Sequence, residues 1–376
     1  MNRALRNELS LITGLAAMGL WLTRQRPWAF GLGLCAAGLQ LLPAKPYSFA
    51  NRSAIITGGS RGLGLAIAEA LLQEGAQVAL LARDPDELDR ARTKLQKVAL
   101  GGRLLTIPCD LKQLSELEQA FAQVEECCGR VDLLINNAGS ISVGPFESMD
   151  DADFEAQLKL QVHAVTHAIR LALPAFRSQG EGRVVNISSI GGKLPVPHMS
   201  TYCAAKFALA GLSETLTAEL APDNIKVTTV YPGMMRTGSP IQAVFKGNHE
   251  KEYGWFASGD VMPGLSVSAD YAARKILEAA RNGDTQVRFP AVTKIGILGH
   301  AIFPETYALL MRQAARLMPK DQSRLRKTGA ESQTWLERQV WYKPLHRREA
   351  AAEERLNQME KFDADFNLGI GSMQTL

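Results

Sequence analysis

Between residues 53 and 289 the chain alternates seven short, mostly apolar runs with stretches of helical period, and this alternation narrows its fold more than any other feature. The runs are residues 53–57, 77–82, 103–108, 133–136, 183–188, 226–231 and 286–289. Most are apolar at consecutive positions, as strands buried on both faces of a parallel sheet should be. Helical patterns lie between them at residues 62–73, 86–99, 114–128, 151–177, 202–220 and 269–282. The alternation predicts an α/β fold: a doubly wound, seven-stranded parallel sheet with helices on both faces. One domain of that class takes up to about 250 residues. With 376 residues in all, the chain divides into residues 1–50, a domain over 51–290 and an extension over 291–376.

Residues 1–50 read as a separate unit. Leu9 to Leu22 and Trp28 to Leu42 are uncharged apolar runs of 14 and 15 residues, parted by the polar Thr23 to Pro27. As helices they would reach only about 21 to 23 Å, short of a hydrocarbon core of roughly 30 Å. Six basic residues against Glu8 give residues 1–52 a local charge of +5, which leaves the remainder of a +4 chain at −1. That distribution argues against a nucleic-acid partner for the main domain and fits an anionic membrane surface. We expect two helices lying in or dipping into a membrane, with Trp21, Trp28 and Tyr47 near the interface and the catalytic domain in the cytoplasm. The alternative is a helical hairpin packed on its own domain or, in a homo-oligomer, on another subunit.

Two further segments stand out. Residues 234–268 form a connection long enough to suggest a binding loop or lid. Ile295 to Leu317 reads as an apolar helical stretch, and residues 312–327 are rich in Lys and Arg, which suits a solvated helix face or contact with a membrane surface. Cys35, Cys109, Cys127, Cys128 and Cys203 have no metal-ligand spacing and no disulfide-scaffold density, so no metal is expected.

The chemistry-bearing motifs fall at the ends of predicted strands. The first strand runs into Thr57-Gly58-Gly59-Ser60-Arg61-Gly62-Leu63-Gly64 and then a helix. Glycines there let the backbone turn sharply and approach a pyrophosphate, whose charge the helix N-terminus stabilises, making the sheet Rossmann-like. Asn136-Asn137-Ala138-Gly139 follows the fourth strand and Asp110 the third. Asn186-Ile187-Ser188-Ser189 precedes Tyr202-Cys203-Ala204-Ala205-Lys206, and Pro232-Gly233-Met234-Met235-Arg236-Thr237 comes after the sixth strand. Tyr202 and Lys206 lie one helical turn apart on one face, so ammonium and phenol can serve one site.

In this order and spacing, over residues 51–290, the chain resembles the short-chain dehydrogenase/reductase family. The resemblance implies an oxidoreductase that moves a hydride between a nicotinamide dinucleotide and a carbonyl or alcohol carbon. It implies cofactor contacts from Gly58, Ser60, Arg61, Gly62, Leu63, Gly64, Arg83, Asp110, Asn137, Ala138, Gly139, Pro232, Gly233 and Thr237, with Tyr202 and Lys206 also touching the cofactor. Family spacing puts the active serine thirteen residues before the tyrosine, which selects Ser189 over Ser188. Gln161 stands where many members carry an asparagine that holds a proton-relay water.

A phenol of ordinary pKa, about 10, is a poor acid at neutral pH, but a neighbouring ammonium favours its ionised form. Tyr202 would then protonate the developing alkoxide, Ser189 would hold the carbonyl oxygen, and Lys206 would bind the nicotinamide ribose. Arg83, at the end of the second strand, and Arg61 in the glycine turn suit the 2′-phosphate of NADP(H), while Asp84 leaves NAD(H) open. These residues predict an NADP(H)-dependent ketoreductase or alcohol dehydrogenase for a small hydrophobic, lipid-like substrate. The competing readings are a catalytically silent dinucleotide-binding scaffold or sensor at the membrane, opposed by the complete Ser189, Tyr202 and Lys206 set, and an epimerase or dehydratase, opposed by the glycine spacing.

Overall fold

A computed structural model of the chain describes residues 3–23, 26–41, 47–99, 103–261, 265–333 and 352–358. Two helices come first, α1 (Arg3–Leu22) and α2 (Arg26–Leu41). The domain begins with β1 (Ser53–Thr57), α3 (Gly62–Gln73), β2 (Gln77–Ala82), α4 (Pro85–Leu95), β3 (Leu104–Pro108), α5 (Leu114–Cys128) and β4 (Leu133–Asn136). It continues through β5 (Ser142–Val143), α6 (Asp151–Leu158), α7 (Ala164–Gln179), β6 (Gly182–Ile187), α8 (Ser200–Glu219), β7 (Ile225–Pro232) and β8 (Met234–Arg236). Next come β9 (Val244–Phe245), α9 (His249–Val261), β10 (Ser266–Ser268), α10 (Ala269–Asn282) and β11 (Gln286–Phe289). The last described elements are α11 (Ala291–Ile302), α12 (Pro304–Leu317), β12 (Lys327–Thr328) and α13 (Gly329–Ser332).

Seven strands form one sheet in the order β11-β7-β6-β4-β1-β2-β3, every neighbouring pair parallel. Successive side chains of a strand point to opposite faces, and here both faces are covered. Ile56, Leu80 and Ile135 pack with Ile67 and Leu71 of α3 and Ile276 of α10. Ile55, Leu81 and Leu134 pack on the other side with Phe121 of α5, Ile169 of α7 and Leu209 of α8. Double burial is why the strands read as continuous apolar runs. The strand order reverses between β1 and β4, so their carboxyl ends open a crevice, the usual ligand site of such sheets.

Three expectations are corrected in detail. Residues 151–177 are not one α-helix, because a π-helical turn at Lys159–His163 separates α6 from α7. Much of residues 234–268 is ordered as β8, β9, α9 and β10; its polar and aromatic mix hides the helix from a periodicity reading. The stretch 295–317 is two helices, since Pro304 has no N–H to continue α11 and restricts the residue before it.

The N-terminal helices pack as a pair, with Ser10 Oγ donating to Ala36 O at 3.0 Å. The base of α1 is tied to the end of α10 and the turn after it: Arg3 pairs with Glu278 at 2.9 Å, and Ala4 N donates to Asp284 Oδ1 at 3.2 Å. Trp21 and Trp28 are 60% and 72% exposed. Among the described residues no helix is long and apolar enough to cross a membrane. Tyr47 lies on the main domain, where the Arg183 guanidinium sits 3.7 Å from its ring centroid and Phe49 meets it edge-on. The cation–π contact accounts for that position.

Candidate active site

The glycine turn is shaped by close approach. Gly58 has φ +63, and a Cβ on it would stand 2.8 Å from Ala138 Cα. A side chain there is excluded by both strain and space. Asn137 closes the turn from the other strand, its Nδ2 donating to Thr57 O at 3.1 Å and Gly58 O at 3.0 Å. Thr57 Oγ1 accepts in return from the amides of Asn137 and Ala138. Asn136 Nδ2 donates to Asn186 Oδ1, and Asn186 Nδ2 to Ser213 Oγ, so these asparagines tie β4 to β6 and β6 to α8. Gly64, by contrast, is outside the cleft lining. A Cβ there would lie 2.3 Å from Gly58 O, so its part is the close packing of α3 on the turn.

A single cleft of about 430 Å³ opens at the crevice. It is lined by Gly58, Ser60, Arg61, Gly62 and Leu63 from the turn, by Arg83 and Asp110 after β2 and β3, and by Asn137, Ala138 and Gly139 after β4. Gln161, Ser189, Tyr202, Lys206, Pro232, Gly233 and Thr237 complete the set, so Gly64 alone of the expected site residues stands outside the lining.

Local hydrogen bonds divide the labour between the two serines. Ser188 Oγ donates to Lys206 O at 3.0 Å and ties β6 to α8. Ser189 opens a single 3₁₀ turn, where its Oγ accepts from Gly191 N at 3.1 Å and its own O–H remains to be given to a substrate oxygen. Lys206 is buried at 4% exposure; its Nζ donates to Ile187 O at 2.9 Å and lies 5.7 Å from the centroid of the Tyr202 ring. Burial pushes the Lys206 pKa down to about 7. Gln161 sits fully buried in the π-helical turn, with Nε2 donating to Ser140 O at 3.3 Å and Oε1 without a partner among the described residues. A Cβ on Gly139 would stand 3.4 Å from that oxygen and 3.6 Å from Lys206 Nζ, so acceptor and ammonium face the same small space. A water there would join them, and the turn that bulges the helix is what brings the longer glutamine side chain to this place.

At the other end of the cleft, Asp84 caps α4 by accepting from Glu87 N at 2.9 Å. Glu87 is buried, accepts from Ser60 Oγ at 2.8 Å and pairs with Arg61 at 2.6 Å. Arg61 is therefore not an independent cation, as the sequence suggested, but half of an ion pair. Burial lowers the Arg83 pKa from its ordinary value; Asp110 acts against that shift, Arg61 acts with it, and Glu87 and Asp84 act against it. Beyond Tyr202 the cleft ends in Ile141, Val196, Met199, Trp255 and Phe256. Trp255 is held by its Nε1–H to Glu252 at 2.7 Å, and Phe256 packs edge-on against Phe245. These α9 aromatics, together with Glu87, had no motif to reveal them.

The residues fit a dinucleotide: the cleft joins a glycine turn at a helix N-terminus to a buried cation and a phenol, and Gln161 leaves an orphaned acceptor between them. Such a cofactor supplies the hydride. In that reaction Tyr202 would give its proton to the substrate oxygen as that oxygen gains charge, Ser189 would donate a hydrogen bond to the same oxygen, and Lys206 would hold positive charge beside the phenol.

Residues 52–244 match the family described as short chain dehydrogenase. The chain belongs to this family. This short-chain dehydrogenase is 38% identical over 190 residues to the oxidoreductase BOA17 of Botryotinia fuckeliana, a match covering 50% of the chain and 68% of that relative. It is 33% identical over 195 residues to the 3-ketodihydrosphingosine reductase of Bos taurus, covering 51% of the chain and 59% of the bovine enzyme. Among solved structures, L-sorbose reductase from Gluconobacter frateurii, complexed with NADPH and L-sorbose, superposes with a TM-score of 0.58 at 26% identity, over 65% of the chain and 97% of its own. The chain is an oxidoreductase of this family.

Proposed function

We propose that the protein is an NADP(H)-preferring ketoreductase that acts on a hydrophobic, lipid-like ketone or alcohol at a membrane surface, with its catalytic domain on the cytoplasmic side. The observation that carries the substrate class is the apolar end of the cleft, where Ile141, Val196, Met199, Trp255 and Phe256 adjoin Tyr202. Those side chains offer no charged or multiply hydrogen-bonding partner to a sugar but suit an alkyl chain, whose burial contributes about 0.8 kcal/mol per methylene. The relative named 3-ketodihydrosphingosine reductase is consistent with this.

Cofactor preference rests on Arg83 and Arg61, which both line the cleft, the Arg61 guanidinium being shared with Glu87. Asp84 is committed in part to capping α4, which reduces its hold on a free ribose hydroxyl. Membrane association is supported by apolar faces that the fold does not cover. On α1 and α2, Leu11, Leu22, Trp28 and Phe30 are 63%, 68%, 72% and 72% exposed. On the pair α11 and α12, Ile295, Leu298, Phe303 and Leu317 are 69%, 60%, 61% and 89% exposed, with Lys294, Arg312 and Arg316 among them. Exposed apolar faces edged by cations match an anionic bilayer.

The test follows NADPH oxidation with 3-keto amphiphiles of increasing chain length, delivered in vesicles, beside a short water-soluble ketone. Catalytic efficiency should climb with chain length until the apolar end is filled. A preference for the short polar ketone would refute the lipid-like substrate.

A further inference from the structure

One wall of the cleft comes from neither the sheet nor a family motif. Residues 352–358 cross the dinucleotide cleft and are fastened to both of its banks. On the glycine-turn side, Leu356 O accepts from Gly62 N at 2.9 Å, the first amide of α3. Asn357, held at φ +61, donates through Nδ2 to Ser60 O at 2.9 Å and Glu87 O at 3.0 Å, while its Oδ1 accepts from Arg90 Nε at 3.1 Å. On the opposite bank, Gln358 Nε2 donates to Thr237 O at 2.8 Å and Gln358 O accepts from Gln242 Nε2 at 3.0 Å.

Leu356, Asn357 and Gln358 are 1%, 4% and 4% exposed, so this is a seated segment and not a passing tail. Both banks are shaped to receive it. A Cβ on Gly62 would stand 3.0 Å from Gln358 Nε2, and one on Gly238 would stand 2.5 Å from Glu353 Cγ. Both glycines also have positive φ. Gln358 lines the cleft, yet its buried Oε1 has no hydrogen-bond partner among the described residues. An orphaned buried acceptor is costly unless a ligand donates to it.

Gln358 is the residue of the segment that lines the cleft, so the segment borders the cleft and does not fill it. With the segment in place, a cavity still extends from Arg83 and Asp110 to Tyr202 and Trp255. The segment's fastenings lie on the walls of that cavity: Asn357 at the Ser60 carbonyl, Leu356 at the first amide of α3, and Gln358 at the Thr237 carbonyl.

We propose that residues 356–358 are a cofactor-binding strap, in which Gln358 Oε1 accepts from a donor of the bound dinucleotide, a ribose hydroxyl or carboxamide N–H. The strap closes over the dinucleotide and slows its release. This inference rests on the dinucleotide reading of the cleft. Since the strap bonds to both banks, the cofactor leaves only after one set of those hydrogen bonds has broken. Asn357 is a positioning residue: it acts through the Ser60 and Glu87 carbonyls and through Arg90.

Hydrogen–deuterium exchange on the full chain, with and without saturating NADPH or NADH, tests the strap without relying on turnover. Bound cofactor should slow exchange of the amides of residues 352–358. Faster exchange would mean that the cofactor displaces the segment, and unchanged exchange would mean that it does not touch it; either result overturns the proposal. Stopped-flow displacement supplies the second reading. Gln358→Ala and, separately, Asn357→Ala should speed dinucleotide release about tenfold, the order expected for one hydrogen bond to a buried group. Cofactor-free Gln358→Ala should still unfold in one cooperative transition, its midpoint lowered only by the loss of the Gln358–Thr237 hydrogen bond. Release at the parental rate from both variants would overturn the strap. A parent chain that binds neither dinucleotide would instead overturn the cofactor reading beneath it.

Discussion

Replacing Arg83 by alanine should separate the two nicotinamide cofactors. Arg83 stands in the cleft at the end of β2, half-buried, with Asp84, Glu87 and Asp110 as its nearest acidic influences. A charge-assisted hydrogen bond to a 2′-phosphate is worth about 1.5 to 3 kcal/mol, so its loss should weaken NADPH roughly ten- to a hundredfold. NADH has no phosphate to lose and should change by no more than about twofold, well within 1 kcal/mol. Arg61→Ala should also weaken NADPH more than NADH, by less than loss of an unshared guanidinium would, because the Arg61 guanidinium is shared with Glu87 at 2.6 Å. Glu87→Gln should strengthen NADPH, since it removes a buried negative charge near the phosphate while an amide oxygen can still accept from Ser60 Oγ. Dissociation constants from protein-to-nicotinamide energy transfer would measure all four proteins. Equal losses for NADPH and NADH in Arg83→Ala, or equal affinities in the parent, would refute the assignment of the phosphate to this arginine.

Two other outcomes can be checked independently. Burial pushes Lys206 down to about 7 from an ordinary 10.5, so its ammonium is lost above that pH in the cofactor-free protein. An anionic dinucleotide favours the charged form, and binding at pH 8 should therefore take up a proton that binding at pH 6 does not. Calorimetry in buffers of different ionisation enthalpy would show it, and uptake that persisted in Lys206→Met would exclude this lysine. In the free protein the same shift works against the fold at low pH. Between about 7 and 10.5 the unfolded chain holds the extra proton, so the contribution of Lys206 to stability grows as pH rises through that window. A chain beginning at Tyr47 should fold and bind cofactor as the full chain does, because Tyr47 stays on Arg183, while the exposed Arg3–Glu278 pair and the Ala4 amide contact at the root of α1 are lost. The full chain should float with anionic vesicles in moderate salt and the shortened chain much less, through α11 and α12 alone; equal flotation of both would place the lipid contact away from α1 and α2.

The parts of this protein legible in its sequence are those governed by local physics. Ile55 and Ile56 had to face opposite, equally buried layers, so β1 announced itself as an unbroken apolar run. The glycine turn, Ser189, Tyr202 and Lys206 occupy strand ends or one helical turn, where spacing alone implies proximity. What escaped the sequence depends on distant partners. Arg61 and Glu87 lie 26 positions apart, and nothing local marks them as a pair. Asn357 reaches Ser60 across 297 positions, from a short charged segment with no apolar period. The π-helical turn at Lys159–His163 barely alters helical periodicity, so α6 and α7 read as one helix even though the turn sets the position of Gln161. Trp255 and Phe256 sit on a helix of mixed polarity whose buried side is defined only by its neighbours.

The proposed chemistry turns on the Tyr202 hydroxyl. The direct measurement is single-turnover NADPH oxidation by Tyr202→Phe beside the parent chain, with a lipid-like 3-ketone and with cofactor affinity measured on the same samples. General acid catalysis contributes roughly 10²- to 10⁴-fold, so the rate should fall by about that factor while the dissociation constant for NADPH stays within about twofold of the parent. Near-parental oxidation by the phenylalanine variant, with binding intact, would show that the proton comes from another group and that Tyr202 is not the acid of this site.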